Sequence, residues 1–226
     1  MVRLSRTRKA TTKAKFASHA SPKRRRVTTR ATSGHSRTSP QARETLVWIF
    51  GYGSLMWNPG FRYRRLEYGL VRGWHRAFCV YSQVWRGTPD RPGLVLGLDR
   101  GGACKGVAFA VPLTDEAKVL AYLDERERVT NVYLRRRLPV TLASGKIVDA
   151  WGYIVDRDHS QYACKLTTAK AARIIATSEG KGGTNPEYLE NTILHLDQMG
   201  IPEGPLHDLR DRVRALLEPK PQARRG

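Results

Sequence analysis

Apolar residues in the first two thirds of the chain occur in short runs that end at turn residues. Such runs, with alternating or continuous apolar positions, are typical of strands. They predict four strands, at 46–50, 69–83, 93–98 and 104–112. Two further runs, 134–143 and 146–155, flank the turn residues Ser144-Gly145-Lys146 and predict a β-hairpin.

Helical periodicity takes over after the hairpin, where three helices are predicted. The first runs from Thr167 to Ser178. The second opens with Asn185 as its cap and Pro186 in its first turn, and it closes at Gly200. The last begins at Pro205, and its apolar face repeats every three or four residues: Leu206, Leu209, Val213 and Leu216.

One more helix is predicted between the strands, over 114–129. Thr114 is its predicted N-cap, with Asp115 and Glu116 in the first turn. Strands therefore dominate the first half and helices the second. This order predicts an α+β domain with a largely antiparallel sheet, open or closed into a barrel. A doubly wound parallel sheet is disfavoured, because regular helices do not separate the strands.

The basic residues concentrate in one segment and set the domain boundaries. The chain carries a net charge of +20, and residues 1–45 hold 13 of its lysines and arginines but one acid, Glu44. That segment has few large apolar residues, so it cannot bury enough surface to offset its ordering entropy. We predict a disordered basic tail over 1–45, a folded domain over 46–218 and a short polar tail over 219–226.

The basic segment leaves several roles open. Its run PKRRRV is typical of nucleic-acid contacts or of an import signal. Its Arg- and Ser-rich, acid-poor composition also resembles an organelle transit peptide. A solvated tail and a start codon assigned too far upstream are the remaining alternatives.

Hydropathy and cysteine usage exclude several classes of protein. No apolar run approaches the roughly 20 residues of a membrane span, and no apolar region of a secretory signal follows the start. The three cysteines, Cys79, Cys104 and Cys164, are scattered without a CxxC or metal-ligand spacing. An odd, scattered count is typical of a reducing compartment, so we expect a cytoplasmic protein.

A buried strand that stops at two glycines around a tyrosine is the first candidate binding feature. The run of 46–50 ends at Gly51-Tyr52-Gly53-Ser54. Glycine permits positive φ, so the backbone could turn sharply and present successive N–H groups as a nest for a carboxylate. A P-loop and a complete dinucleotide fingerprint are both absent. The loop predicts a site for a small carboxylate-bearing molecule, with a plain strand-to-turn transition as the alternative.

Glu127 is the second candidate, because it falls on the apolar face of its helix. At about 100° per residue it lies one turn beyond Leu123, on the side of Val119 and Leu120. Burial there would raise the pKa of its carboxyl toward neutrality, as in a general acid/base. The alternatives are fraying of the helix end or a structural ion pair with nearby arginines: Arg126, Arg128 or the Arg135–Arg137 run.

Four sequence blocks occur in order along the chain: FGYGSLMW, WRGTPDRPG, YLDERE and GGTNPEYL. Together they resemble the ChaC-like glutathione-specific γ-glutamylcyclotransferases. The similarity covers about 47–217, nearly all of the predicted folded part, and leaves the first 45 residues outside.

The resemblance implies a fold and a site. The family fold is a small mixed, largely antiparallel β-barrel flanked by helices, in agreement with the α+β prediction. The family's catalytic glutamate belongs to an Arg-Glu pair, here Arg126-Glu127, and a tyrosine a few residues later matches Tyr133. The segment Ser82 to Gly93 resembles a loop that covers the substrate. The family's glycine loop binds the γ-glutamyl group through its backbone, which implicates Ile49, Phe50, Gly51, Tyr52, Gly53 and Ser54.

The resemblance also implies a reaction. The free α-amine of glutathione attacks its own γ-carbonyl, and a lyase reaction releases 5-oxoproline and Cys-Gly. An α-ammonium has a pKa of roughly 8, so it needs a base, which Glu127 would supply. No metal, cofactor or covalent intermediate is implied, and the expected partner is the small-molecule substrate glutathione.

Three alternatives remain at this stage. A cyclotransferase for other γ-glutamyl amino acids or γ-glutamylamines would use the same loop and base. A nucleic-acid-binding protein on an inactive enzyme fold would explain the basic segment 1–45. A thiol hydrolase would pair Cys79 with His75, although no third residue that orients the base is identified.

Overall fold

The barrel and its helices lie within the residues that a computed structural model of the chain describes, 44–127 and 130–218. Apart from Glu44 and Thr45, the predicted basic tail lies outside these residues, as does the predicted tail 219–226. Five strands form the barrel: β1 (Leu46–Gly51), β2 (Arg65–Ser82), β3 (Gly93–Pro112), β4 (Tyr133–Leu142) and β5 (Ile147–Val155). The helices are α1 (Glu116–Glu127), α2 (Thr168–Thr177), α3 (Asn185–Gln198) and α4 (Gly204–Leu217).

The strand order β1-β3-β2-β4-β5 closes on itself and makes the barrel mixed. β1 pairs antiparallel with β3, and it closes the barrel by pairing parallel with β5 at Trp48 and Ile49. The other neighbours are antiparallel. The predicted α+β class with a small mixed, largely antiparallel barrel flanked by helices is therefore confirmed.

Two hydrophobic layers explain why β1 is apolar at every position. Trp48 and Phe50 belong to a cluster built from all five strands and no helix, which fills the barrel interior. Val47 and Ile49 face the opposite way, into a second cluster that includes residues of all four helices. Successive side chains of a strand point to opposite faces, so a strand buried on both sides needs an unbroken apolar run.

The strands predicted at 93–98 and 104–112 are one strand, β3. Residues 100–103, which interrupt the apolar pattern, are exposed and lie opposite the bulge at Arg72–Trp74, in the middle of the two paired strands. Gly101 and Gly102 adopt φ of 105° and 67° there. The apolar pattern predicts two strands because it follows burial, and the side chains of the middle residues are exposed although the strand continues through them.

Two helix starts differ from the prediction. Thr114 lies in a 3₁₀ turn, Leu113–Asp115, that precedes α1. Thr184, not Asn185, caps α3, and its side chain accepts a hydrogen bond from the backbone N–H of Glu187 at 3.3 Å. The Asn185 side chain is wholly buried instead, where it bonds to the backbone of β3.

The remaining helices follow their sequence patterns more closely. Thr167 caps α2 by accepting from the N–H of Lys170 at 3.3 Å. On α4, Leu216 is 51% exposed, so the apolar face ends one turn earlier than predicted, after three buried residues: Leu206, Leu209 and Val213. No helix in the described part of the chain is both long enough and apolar enough to cross a membrane.

Candidate active site

A cavity of about 390 Å³ lies where the end of β1, the last turn of α1 and the loop after β2 meet. β3, the start of β4 and α3 complete its wall. Seven of the eight predicted site residues line it: Phe50, Gly51, Tyr52, Gly53, Ser54, Glu127 and Tyr133. Ile49 lies outside it, because its side chain is fully buried in the layer between barrel and helices.

The loop after β1 carries a row of backbone N–H groups at residues that line the cavity. Among the described residues, no acceptor is recorded for the N–H groups of residues 52–55, whereas the carbonyls of Gly53 and Ser54 accept bonds from Met56 and Asn58. Backbone donors without internal partners at a cavity wall are what an anion-binding nest requires. The loop can therefore receive a carboxylate.

The predicted reason for the two glycines is wrong. Neither Gly51 nor Gly53 has a positive φ, and φ of Gly53 is −130°. The space available for a side chain explains the two glycines instead. A Cβ on Gly51 would meet the Cβ of Leu55 at 3.2 Å, and one on Gly53 would meet only Leu96, at 3.4 Å, beside the cavity. The glycines keep side-chain atoms away from the donor row.

Arg76 fixes this loop from behind, which the sequence analysis missed. Its guanidinium is fully buried, donates to the carbonyl of Tyr52 at 2.5 Å and to that of Lys105 at 2.6 Å, and pairs with Glu203 before α4. The signal available in the sequence was the position of Arg76, two residues before Phe78 on a predicted strand, which places both side chains on the same buried face. The same reasoning that singled out Glu127 would have found it.

Glu127 faces the cavity from the last residue of α1. Its side chain is about three-quarters buried, with 26% of its surface exposed, and burial raises the pKa of its carboxyl. The guanidinium of Arg126, whose Nε lies 3.1 Å from Glu127 Oε1, acts in the opposite direction. The predicted direction of the shift agrees with the structure, and the Arg126 ion pair of the alternative is also present.

Arg126 connects this carboxylate to the glycine loop. Its Nη2 donates to Ser54 Oγ at 2.9 Å, and its Nη1 donates to the carbonyl of Asn58 at 2.6 Å. One guanidinium thus holds the loop and Glu127 in a fixed relation. Fixed geometry of this kind is what positions reacting groups.

Three partly buried tyrosines surround the carboxylate: Tyr52, Tyr133 and Tyr188. Burial is the main cause that raises the pKa of each, to about 12 for Tyr188, so all three hydroxyls keep their protons at neutral pH. The hydroxyl of Tyr133 donates a hydrogen bond to the carbonyl of Leu96 at 2.6 Å. Its oxygen lone pairs therefore remain free to accept from an N–H group of a bound molecule.

The cavity brings together groups suited to one kind of molecule. A donor row accepts a carboxylate, a tyrosine oxygen accepts an N–H, and Glu127 can take a proton. A small amino-acid-like compound carries both the carboxylate and the amine that these groups fit. Residues of the predicted covering loop, Ser82–Arg86, also line the cavity.

The cysteine–histidine pair considered from sequence lies elsewhere. Cys79 does not line the cavity, and burial raises the pKa of its thiol to about 12, which leaves almost no thiolate at neutral pH. The ring of His75 bonds to the carbonyl of Gly101 at 3.1 Å, beside the bulge in the middle of the paired strands β2 and β3. A thiol nucleophile activated by this histidine is therefore disfavoured.

Comparisons with known proteins agree with the fold and with the order of the sequence blocks. The sequence model of a family described as ChaC-like protein matches residues 47–216. The chain is 39% identical to a glutathione-specific γ-glutamylcyclotransferase of Escherichia coli K12, over 76% of this chain and 74% of that protein. It is 36% identical to glutathione-specific γ-glutamylcyclotransferase 1 of Danio rerio, over 66% and 78%.

A solved structure gives the same relationship in three dimensions. It is a γ-glutamyl cyclotransferase specific to glutathione from yeast, 25% identical in sequence, with a TM-score of 0.67. The match covers 75% of this chain and 96% of the yeast chain.

Proposed function

Because the chain belongs to the ChaC-like family, we propose that it is a glutathione-specific γ-glutamylcyclotransferase. The observation that carries the proposal is the meeting of two groups in one cavity: the unpartnered N–H groups of residues 52–55 and the carboxylate of Glu127. The names of the similar proteins support glutathione as the substrate.

The donor row would hold the glutamyl end of glutathione by its α-carboxylate. The adjacent α-ammonium would then lie near Glu127 and Tyr133, the acceptors of the cavity. Binding in this way places the amine close to the γ-carbonyl of the same residue, since both belong to one short side chain. Holding two reacting groups at attack distance removes much of the entropic barrier.

The reaction needs one proton acceptor that later becomes a donor. Glu127 takes a proton from the α-ammonium, and the amine nitrogen attacks the γ-carbonyl carbon. As the bond between that carbon and the cysteine nitrogen breaks, Glu127 returns the proton to the leaving nitrogen. The attacking nitrogen loses a second proton by way of the same carboxylate as it becomes the lactam N–H, so the cysteine amine leaves as an ammonium. The products are 5-oxoproline and Cys-Gly. A carboxyl whose pKa is raised by burial suits both steps, because it binds the transferred proton more readily than an ordinary glutamate does.

Incubation of the purified chain with glutathione is expected to release 5-oxoproline and Cys-Gly in equal amounts, as measured by chromatography. Parallel reactions with γ-glutamyl-alanine are expected to be slower in kcat/KM, since the proposed substrate is the tripeptide. Equal or faster turnover of γ-glutamyl-alanine would favour the broader cyclotransferase. No release of 5-oxoproline from either substrate would refute the proposed function.

Gly53→Ala is expected to weaken substrate capture without unfolding the chain. The added methyl meets only Leu96, at an ordinary contact distance of 3.4 Å, and would stand beside the donor row. Loss of one hydrogen bond to a charged group costs roughly 1.5–3 kcal/mol, so KM should rise about tenfold or more. Steady-state kinetics on glutathione measures this rise, with circular dichroism to check the fold.

Ser54→Ala is the matched control for the loop. It removes one hydroxyl that accepts from Arg126 but leaves every backbone N–H in place. Its effect on KM should be smaller than that of Gly53→Ala. A folded Gly53→Ala protein with unchanged kinetics would mean that the loop is only a turn.

The proposal places the enzyme in the cytoplasm. Its support is the free state of the three thiols, of Cys79, Cys104 and Cys164, which is typical of a reducing compartment. Contact between nucleic acid and the basic segment stays a prediction from sequence, because 1–43 lies outside the described residues.

A further inference from the structure

The loop between β2 and β3 has a stem that is too tight for side chains. A Cβ on Gly87 would collide with the backbone of Gly93, and one on Gly93 would collide with the carbonyl of Arg86. The side chain of Ser82 closes the turn by accepting from the N–H of Arg86 at 3.0 Å. The backbone that carries Arg86 is therefore held from both sides.

A second segment clamps the same stem. The N–H groups of Lys181 and Gly182 donate to the carbonyls of Val84 and Trp85, each at 2.9 Å. A Cβ on Gly180 would lie 2.6 Å from backbone atoms of this loop. Close backbone packing of this kind leaves the loop few conformations, although part of its surface is exposed.

Asn185 anchors the clamp to the barrel. Its wholly buried side chain accepts from the N–H of Leu94 at 2.6 Å and donates to the carbonyl of Leu94 at 2.8 Å. Two sequence blocks that the proposed chemistry leaves unused, WRGTPDRPG and GGTNPEYL, thus meet around one residue, Arg86.

Arg86 carries a positive charge to the wall of the cavity. Its guanidinium lies 5.1 Å from the ring centre of Tyr188, and its Nη1 donates to the carbonyl of Thr184 at 3.2 Å. Among the described residues, no carboxylate lies within ion-pair distance of it; Glu187 is the acidic side chain on the adjoining turn. Several of its N–H donors therefore remain available, in a fixed orientation, beside the site.

Charge complementarity indicates what these donors bind. Glutathione carries an ammonium and a carboxylate at its glutamyl end and a second carboxylate on its glycine. If the glutamyl end lies at residues 52–55 and Glu127, the glycyl end must extend along the cavity. Arginine presents paired N–H groups that match the two oxygens of a carboxylate.

We propose that Arg86 binds the glycyl carboxylate of glutathione and thereby makes the site selective for the tripeptide. This assignment rests on the proposed function. It makes Arg86 a specificity residue, since the carboxylate that it contacts is remote from the bond that breaks. Its contact is the same in the ground state and the transition state, so its removal should raise KM and leave kcat nearly unchanged.

The test compares two substrates, glutathione and its C-terminal amide, whose glycyl end is neutral. With glutathione, Arg86→Met should raise KM about tenfold to a hundredfold, the range for a hydrogen bond to a charged group. The unaltered protein should show a similar rise when the amide replaces glutathione. With the amide, Arg86→Met should cause little further change, because the partner of the guanidinium is already missing. Arg86→Lys, which keeps the charge but not the paired donors, should give an intermediate KM for glutathione.

Arg173→Met is the control, since Arg173 is exposed on α2, away from this loop, and does not line the cavity. It should not alter either substrate's kinetics, and thermal melting should show that each variant is folded. An equal loss on both substrates, or no loss on either, would overturn the role of Arg86 while leaving the cyclotransferase activity established. Absence of turnover of glutathione by the unaltered protein would instead refute the proposed function, and the assignment of Arg86 with it.

Discussion

Glu127→Gln is expected to lower kcat for glutathione by about 10²–10⁴-fold, the usual loss when a general base is removed. Glutamine keeps the size and the hydrogen-bonding capacity of the side chain but cannot accept the ammonium proton. Release of 5-oxoproline under saturating glutathione is the measurement. Retention of more than about a tenth of the activity would exclude Glu127 as the base.

The fold should tolerate this change. Because the pKa of Glu127 is raised in the folded state, its ionised form is disfavoured there, and its contribution to stability is lost as pH rises through that pKa. A neutral glutamine removes this cost at neutral pH. Arg126 keeps its bonds to Ser54 and Asn58. The melting temperature should therefore stay close to that of the unaltered protein.

The pH profile gives an independent reading of the same residue. The base must be deprotonated, so kcat/KM should fall as pH falls through the pKa of Glu127. Burial raises that pKa, so the acid limb should lie above the ordinary glutamate value of about 4.3. The residual activity of Glu127→Gln should lack this limb. Glu125→Gln, at an exposed position on the same helix, should keep both the rate and the limb.

Arg76→Met is expected to destabilise the protein by roughly 3 kcal/mol, because it strands Glu203 and two backbone carbonyls. The low end of the range for a broken buried pair applies, since Glu203 remains 24% exposed. The melting temperature should fall by about 6–12 °C in a domain of this size. Arg72→Met, at an exposed position on the same strand, should change it little.

A double variant separates the contribution of Arg76 to the stability of the protein from its effect on the site. Arg76→Met with Glu203→Gln removes the stranded carboxylate, so it should recover part of the lost melting temperature. Arg76→Met should also raise the KM of glutathione, because the carbonyl of Tyr52 loses the guanidinium that positions the loop, and the double variant should keep this raised KM. Recovery of both quantities would mean that Arg76 acts on the fold alone.

Local sequence pattern was enough for most elements and for the first candidate residues. The apolar run of β1, the turn at Ser144-Gly145-Lys146 and the helix predicted from Thr167 are short-range signals, and the structure has the expected element at each. Glu127 could be singled out because three helical neighbours, Val119, Leu120 and Leu123, place it on a buried face. These predictions succeeded because turns, helix faces and apolar strand runs depend on residues that are close together in the sequence.

Errors arose where distant segments decide the local structure. Asn185 was read as a helix cap because asparagine is favoured there, but its side chain bonds to β3, 91 residues away. The glycines of the loop are predicted as sites of positive φ, whereas a Cβ on Gly51 would crowd Leu55 and one on Gly53 would stand beside the donor row. In both cases the residue type was informative, and the reason for it lay in tertiary packing.

By itself the sequence predicted the class of fold and most of its elements, and it singled out the loop at 51–54 and Glu127 as candidate site residues. Only the tertiary structure decided how the barrel closes, since the parallel pairing of β1 with β5 joins segments about a hundred residues apart. It alone brought Arg76 to Glu203, 127 positions later, and Arg86 to the cavity through the 180–185 segment. Periodicity and propensity describe which face of an element is buried. They contain no information on which distant element covers that face, because that choice is made by the packing of the whole domain.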